Sequence, residues 1–467
     1  MKKTIRTLAG SILAGALLLP LPVSAADQDM QQKLDVMQKE LDTLKQQVDR
    51  TERKSLGRWL ELGGDYRFRY DYLRGSVPTY VQGAPDFATN SLGGQLVPAH
   101  DVENKALYTN RFGLNMKAKA TKDVTVTARL LMYKIAGAQD DSALRDGNTS
   151  FSFDRSGLFD GTIGHVPGDS KLAVDRVYAT WNNIAGQPVW FSIGRRPSTG
   201  GIPSHLRQNN EQPGNAGVPS LMIDYAFDGA TIGYAPDIDP LPGAYVKFCY
   251  GRGFQNSITD VNGNGLHNMD LMGVNLVPYD TDPLRIELQY NRAMNIVDTV
   301  KLQSGSMTFL TPTTNLGNMD AYGLDFLGKV KNVGIGDINW FVDGAISQTH
   351  PNSNTLTLIN PNSGASISTP FGLLSTGSPK SQVGWAVLVG ARYDIKDSGT
   401  KLGFEYNHGS KNWLTFTPAA DDMWTSKLGT RGNVYEGYII QELHLEPISS
   451  YLSKVFFRVG YQYYDFE

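Results

Sequence analysis

Arg67, Arg69, Arg111, Arg129, Arg176 and Arg196 all sit in short segments where polar residues alternate with apolar ones, and Asp65 and Asp71 share the pattern of the first two. Guanidinium groups fixed along one wall would attract anions and orient dipolar solutes, a chemistry of passage rather than of bond breaking. The clearest case is residues 60–72, L-E-L-G-G-D-Y-R-F-R-Y-D-Y. In an extended strand Leu60, Leu62, Gly64, Tyr66, Phe68, Tyr70 and Tyr72 fall on one face, and Glu61, Asp65, Arg67, Arg69 and Asp71 on the other. A soluble sheet rarely combines such faces, whereas a tyrosine-rich face marks the headgroup level of a bilayer. The reading is a membrane barrel with a wet, charged interior, and these six arginines with Asp65 and Asp71 are its candidate pore-lining residues.

Two other motifs suggest different chemistry. Asn407-His408-Gly409-Ser410 contains the His-x-Ser of outer-membrane phospholipases, with a nucleophile and a base on one register, but no orienting partner is evident on a neighbouring strand. Residues 260–265, D-V-N-G-N-G, match the opening of a calcium loop, yet the twelfth position is Leu271 where a bidentate glutamate is needed. A polar outer loop explains them more simply. No catalytic, metal or cofactor site is assigned, and the chain is not read as an enzyme.

Several elements must position the arginines. Lys2, Lys3 and Arg6 precede an apolar run over residues 8–21, and Val23-Ser24-Ala25 supplies a cleavage site, so residues 1–25 read as a signal peptide. Met30, Leu34, Met37, Leu41, Leu44 and Val48 recur at heptad spacing within residues 27–54. This segment is either a short coiled-coil helix, trimerising or reaching roughly 40 Å at 1.5 Å per residue, or a solvated amphipathic helix. No later run reaches eighteen apolar residues, which excludes helical spans. With 43 Lys and Arg against 46 Asp and Glu, nothing in the net charge of -3 suggests a nucleic-acid partner. The single Cys249 excludes an internal disulfide and Cys-x-x-Cys-His haem attachment.

Residues 58–467 read as one barrel. Alternating strands are expected at 60–72, 108–120, 124–132, 177–181, 189–193, 223–234, 244–250, 272–278, 284–290, 322–330, 338–346, 385–393, 402–406, 435–443 and 455–463. Short turns at 121–123, 182–188, 236–243, 278–283, 332–337, 396–400 and 446–451 alternate with long loops such as 75–103, 137–170 and 349–382, the outer-membrane pattern. The class is all-β, a transmembrane antiparallel up-and-down barrel of about 16 strands. The strands above fall one short, so the last is expected to be missing from this sequence.

On this register the interior holds Arg67, Arg69, Arg111, Lys117, Lys119, Arg129, Arg176, Arg196, Lys247, Arg285, Lys329, Arg392, Lys401 and Arg458. Its acids are fewer: Glu61, Asp65, Asp71, Asp224, Asp228, Glu287, Asp325, Asp343 and Glu405. The expected result is a weak anion preference.

Gly194-Arg195-Arg196-Pro197, Pro203-Ser204-His205-Leu206-Arg207, Phe248-Cys249-Tyr250-Gly251 and residues 402–411, L-G-F-E-Y-N-H-G-S-K, are similar to uncharacterised outer-membrane porins of anaerobic Gram-negative bacteria. The resemblance implies a porin fold in the Gram-negative outer membrane and names no substrate. It also implies that the third long loop, residues 197–219, folds inward as a constriction carrying His205, Arg207 and Glu211, although the loop is poorer in acids than such loops usually are.

The leading function is passive diffusion of small hydrophilic solutes. Two alternatives stay open: a barrel sheathing a multihaem cytochrome in an electron conduit, and a phospholipase-like hydrolase. Partners on these readings are outer-membrane lipid and small solutes, with a homotrimer and a periplasmic or cytochrome partner left open.

Overall fold

In the computed structural model the described residues are 59–467, apart from 87, 90, 138–166, 211–212, 214–216, 257, 259–264, 299–300, 305–306, 311–312, 361–362, 370, 373, 377–378, 418–421 and 444–453. The signal-peptide and heptad segments lie outside them, as do Glu211, the turn at 446–451 and most of the calcium-like loop. Residues 1–60 and 61–467 form separate units, and only the second is described further.

Its strands are β1 (Leu60–Val77), β2 (Tyr80–Asp86), β3 (Ser91–Val97), β4 (His100–Lys119), β5 (Val124–Ile135), β6 (Ala173–Trp181), β7 (Val189–Ser198), β8 (Tyr225–Tyr234), β9 (Tyr245–Phe254), β10 (Met269–Asp280), β11 (Arg285–Asp298) and β12 (Lys301–Ser304). They continue with β13 (Met307–Leu310), β14 (Thr314–Val333), β15 (Gly336–Pro351), β16 (Leu356–Ile359), β17 (Ser366–Thr369), β18 (Phe371–Gly372), β19 (Ser375–Thr376), β20 (Val383–Ile395), β21 (Thr400–Gly409), β22 (Gly432–Leu443) and β23 (Val455–Phe466).

A 15-stranded sheet runs β1-β4-β5-β6-β7-β8-β9-β10-β11-β14-β15-β20-β21-β22-β23. Its members are the expected strands one for one, and each neighbour follows its predecessor in the chain, an up-and-down meander. The sheet leaves β1 and β23 as its two edges. The remaining strands pair as β2-β3, β12-β13, β16-β17 and β18-β19 within long loops that the sequence left unstructured.

Turn chemistry holds the short connections. Thr121 Oγ1 accepts the Val124 N–H at 3.0 Å, closing the β4–β5 turn. Asn332 and Gly334, and Asp397 and Gly399, take the left-handed conformation at the β14–β15 and β20–β21 turns, where asparagine, aspartate and glycine are tolerated.

The two faces of the sheet are chemically inverted relative to a soluble protein. Tyr66, Phe68, Phe112, Ile193, Ile232, Phe248, Val274, Trp385, Phe404, Ile439 and Val459 are exposed on the outer face. Glu287, Asp325, Asp343, Arg392, Glu405 and Glu436 are buried on the inner one.

Two chain segments fill part of the inner side. The first, residues 199–224 between β7 and β8, includes a single helical turn, α1 (Ser204–Arg207), and buries Ile202, Leu206, Leu221 and Met222. The second, residues 410–431 between β21 and β22, buries Trp413, Phe416 and Leu428. They join where the Phe416 N–H donates to Met222 O at 3.1 Å and the Asp224 N–H to Phe416 O at 2.9 Å. Phe341, Ala345, Ala386 and Leu388 of β15 and β20 pack against them.

Strands far apart in the sheet meet these segments, so the sheet curls around them. Lys247 of β9 donates to Gly217 O at 2.6 Å, and Arg392 of β20 to Leu206 O at 2.6 Å. Further along, Gln462 of β23 donates to Asp422 at 2.9 Å and Tyr133 of β5 to Met423 Sδ at 3.3 Å. Residues 422–425 therefore tie the last strand to the first few.

Candidate functional site

The inner faces of β1 and β4–β7 bring several of the expected residues together. Arg129 of β5 donates to Asp65 of β1 at 2.7 Å, across the intervening β4. The position between them is Gly113, where a Cβ would stand 2.7 Å from Asp65 Oδ1 and 2.9 Å from Arg129 Nη2. Glycine leaves the path of the guanidinium open, and a side chain here would push aside the two flexible charged ends that form the bridge. Gly113→Val is expected to cost up to about 1 kcal/mol, chiefly by displacing the Arg129–Asp65 bridge. The cost should shrink when Asp65→Ala has already removed the bridge, and denaturant unfolding of the single and double variants checks this.

Arg129 faces Arg176 directly in the β5–β6 ladder, and the register slips at the next pair, from Arg129↔Arg176 to Leu130↔Val174. Asp175 is the extra residue of this bulge, which places two successive side chains on one face. Arg176 Nε donates to Asp175 at 3.2 Å, and Arg129 Nε lies 4.0 Å from it. Strict alternation turns Asp175 outward, so the sequence reading missed it.

Elsewhere on this wall Arg69 pairs with Asp71 at 2.6 Å, and Lys117 and Lys119 lie 3.8 Å and 3.3 Å from Glu61. Arg67 sits over the Tyr133 ring at 5.4 Å, and Arg111 faces Tyr133 in the β4–β5 ladder. Arg196 stands apart from this group, over the Tyr178 ring at 5.4 Å. Cations outnumber acids along β1 and β4–β7 even with Asp175 included.

His205 and Arg207 are placed differently from expectation. They are buried against the far wall instead of standing free in an opening. Arg207 pairs with Asp422 at 2.7 Å and Glu436 at 3.2 Å. Burial, then the Arg392 and Arg285 cations, push His205 down to about 3, so it is neutral at physiological pH. Asn209 adds a bond to Glu442 at 2.8 Å and accepts one from Lys401 at 2.7 Å. The acids that the loop itself lacks are thus supplied by Asp422 of the second inner segment and by Glu436 and Glu442 of the wall.

The centre of that wall is Glu436, missed by the sequence reading although Tyr435 and Ile439 on its two sides face outward. It accepts from Lys427 at 2.6 Å and pairs with Arg458, and Lys427 also pairs with Glu405. Asp394 beside Arg392, at 2.6 Å, is a further inner acid.

Two corrections follow. Asp228 belongs to the outer face, with Ile232 and Tyr234, and pairs with Arg195 at 3.1 Å. With Asp228 removed and Asp175, Glu436 and Asp394 added, the basic excess of the inner face narrows, and it lies along β1 and β4–β7. Asp224 precedes β8 and accepts the Gly200 N–H at 3.3 Å.

His408 and Ser410 are not joined to each other by a hydrogen bond among the described residues. His408 Nδ1 lies 3.0 Å from Asn433 Oδ1, and Ser410 Oγ accepts the Trp385 N–H at 2.9 Å.

Comparison with known proteins adds family membership. No curated protein matches the chain. Among solved structures it is similar to OmpTΔL8, a loop-deletion mutant of OmpT, an outer membrane protein of Vibrio cholerae, at 12% identity over 85% of this chain and 93% of that one, TM-score 0.37. It is also similar to Salmonella typhi OmpF in complex with daunomycin, at 11% identity over 86% and 97%, TM-score 0.30. Likenesses this distant give neither activity nor assembly. Residues 101–467 match the family described as "Protein of unknown function (DUF3373)", and the chain belongs to that family.

Proposed function

We propose that residues 61–467 lie in the Gram-negative outer membrane as a β-barrel and pass small hydrophilic solutes by diffusion, with a weak preference for anions. The carrying observation is the inversion of polarity: large apolar side chains are exposed around the outer face while ionised groups are buried inside. Bilayer hydrocarbon, not water, matches that outer face.

Constriction comes from residues 199–224 together with 410–431, which cover the inner face of β8–β22 and, through Met423, also reach Leu107 of β4 and Tyr133 of β5. The passage is assigned to the opposite side, along β1 and β4–β7. Support for that side is exposure: the Asp65 and Lys117 side chains are 43% and 51% accessible, against 3% for Glu405. Arg67, Arg69, Arg111, Arg129, Arg176 and Arg196 then line the path with Asp65 and Asp71.

Labelling tests the membrane part. In a Cys249→Ser background, single cysteines at Arg67, Arg111 and Arg129 should react with a membrane-impermeant thiol reagent in reconstituted vesicles. Cysteines at Tyr66, Phe68, Leu114 and Leu130 should not, and equal labelling of both sets would sink the barrel.

Bilayer recording tests the conduction. Reversal potentials across a KCl gradient should show weak anion selectivity, because fixed charge acts over about 10 Å at 0.1 M salt. The preference should fade in molar salt, where screening shortens to about 3 Å, and fall when Arg111 and Arg129 become Gln. A cation-selective pore, or no conductance from purified protein, rejects the proposal.

A further inference from the structure

Three hairpins stand in the long loops at one end of the large sheet: β2-β3 between β1 and β4, β12-β13 between β11 and β14, and β16-β17 between β15 and β20. They form a closed ring, with β2 beside β12, β13 beside β16, and β17 beside β3. Their roots are far apart. β1 is the first strand of the sheet and β11 the ninth, so the two are eight steps apart, roughly 38 Å along the sheet at about 4.8 Å a step. Hairpins rooted at those two places meet only by reaching across the mouth that the curled sheet surrounds. Their length allows it: β2 and β3 have seven residues each, roughly 24 Å at about 3.4 Å per residue.

The hairpins are held in different ways. A two-stranded hairpin alone in water is marginal and buries little. Yet β16-β17 buries Leu356, Leu358 and Ile367, and Leu356 shares the core of Leu206 and Leu221 from the segment between β7 and β8. That hairpin is anchored on the filled side. By contrast β2-β3 buries none of its described side chains, and Val81 and Leu96, opposite each other in its ladder, are exposed. It is held by its neighbours in the ring and by its neck, where the Ala99 N–H donates to Thr79 Oγ1 at 3.1 Å. Its root between β1 and β4 puts it on the side assigned to the passage.

We propose that this ring of hairpins is a size filter over the outer mouth, with β2-β3 as the leaf above the passage, admitting compact solutes such as monosaccharides and turning away longer oligosaccharides. Hairpins in contact confine entry to the gaps between neighbours. The inference rests on the diffusion reading and adds to it the size class of the solute.

The test uses the full chain with two deletions that the hairpin geometry permits. Removing residues 84–93 joins Gly83 to Gly94, cross-strand partners whose residue type suits a two-residue turn, and leaves a shorter hairpin. Removing residues 80–97 joins Thr79 to Pro98, where the chain already meets at the neck. In liposome swelling the wild type should admit glucose and exclude the trisaccharide raffinose. That exclusion should weaken with the first deletion and be lost with the second, and single-channel conductance should rise in the same order. Another readout needs no conduction. In a Cys249→Ser background carrying Arg111→Cys, a bulky polyethylene-glycol maleimide should label faster in both deletions, while a small impermeant thiol reagent should label all three proteins alike. Either deletion suffices should the other not fold. Raffinose entry into wild-type vesicles, or bulky labelling unchanged by the deletions, overturns the filter and leaves the diffusion reading standing. Absence of conductance from all three proteins defeats that reading instead, and the labelling then still decides whether the hairpins screen the mouth.

Discussion

Glu436→Gln should destabilise the folded chain by about 3–5 kcal/mol, measured as a fall in the denaturant midpoint at fixed detergent or lipid. Glu436 is 1% exposed and lies within reach of three cations: Lys427 at 2.6 Å, Arg207 at 3.2 Å, and Arg458. Glutamine keeps the shape and removes the charge, so the buried cations are left facing Glu405 and Asp422 alone. The large cost comes from that uncompensated charge; the worth of the pairs themselves against an apolar replacement is smaller. Lys427→Met in the same chain should therefore recover part of the loss, and a strictly additive double variant would contradict the network. Arg207 belongs to the segment between β7 and β8 and Lys427 to the one between β21 and β22. Weakening Glu436 should thus loosen both, seen as larger and noisier single-channel conductance.

Trp413→Ala is expected to cost a similar amount, about 3–5 kcal/mol. Trp413 is 1% exposed, and its indole N–H donates to Leu428 O at 2.8 Å. Its backbone presses on β20, where a Cβ at Gly384 would stand 2.5 Å from Trp413 Cα, so the cavity cannot close by moving the strand. Trp413→Phe keeps most of the volume and should lose about 1–3 kcal/mol, chiefly from the Leu428 carbonyl left without its donor. Equal losses for the two variants would show that the hydrogen bond, and not the filling of the space, is what the tryptophan supplies. Limited proteolysis after the alanine change should cut first within residues 410–431.

The strands of the large sheet were legible in the sequence by themselves. Alternation has a period of two residues, and residues 60–72, 124–132 and 402–406 each carry it within a single strand. The side on which Arg67, Arg111 and Arg129 sit follows from the same local rule. That rule broke at Asp175, because a bulge adds one residue and no local pattern announces it. Asp228 obeys the rule, since it shares the register of Ile232 and Tyr234, and the β7–β8 ladder sets it opposite Arg195 on the outer face; the inward placement read from the sequence departed from the alternation. The hairpins β2-β3 and β16-β17 were missed because their glycine-, serine- and asparagine-rich surroundings match loops as well as strands.

What only the tertiary structure decided is the filling of the inner side. Arg207 meets Asp422, and Thr415 meets the Leu221 carbonyl at 2.7 Å, across roughly two hundred residues of chain. An apolar run such as Val218 to Ile223 carries no sign of its partner in its own spacing. Whether it meets lipid, water or the opposite wall depends on which strands the curled sheet brings near it. Hence the sequence alone placed an arginine-lined wall on its strands, while three-dimensional packing decided that the other side of the interior is closed by buried aromatic groups and an ionic network.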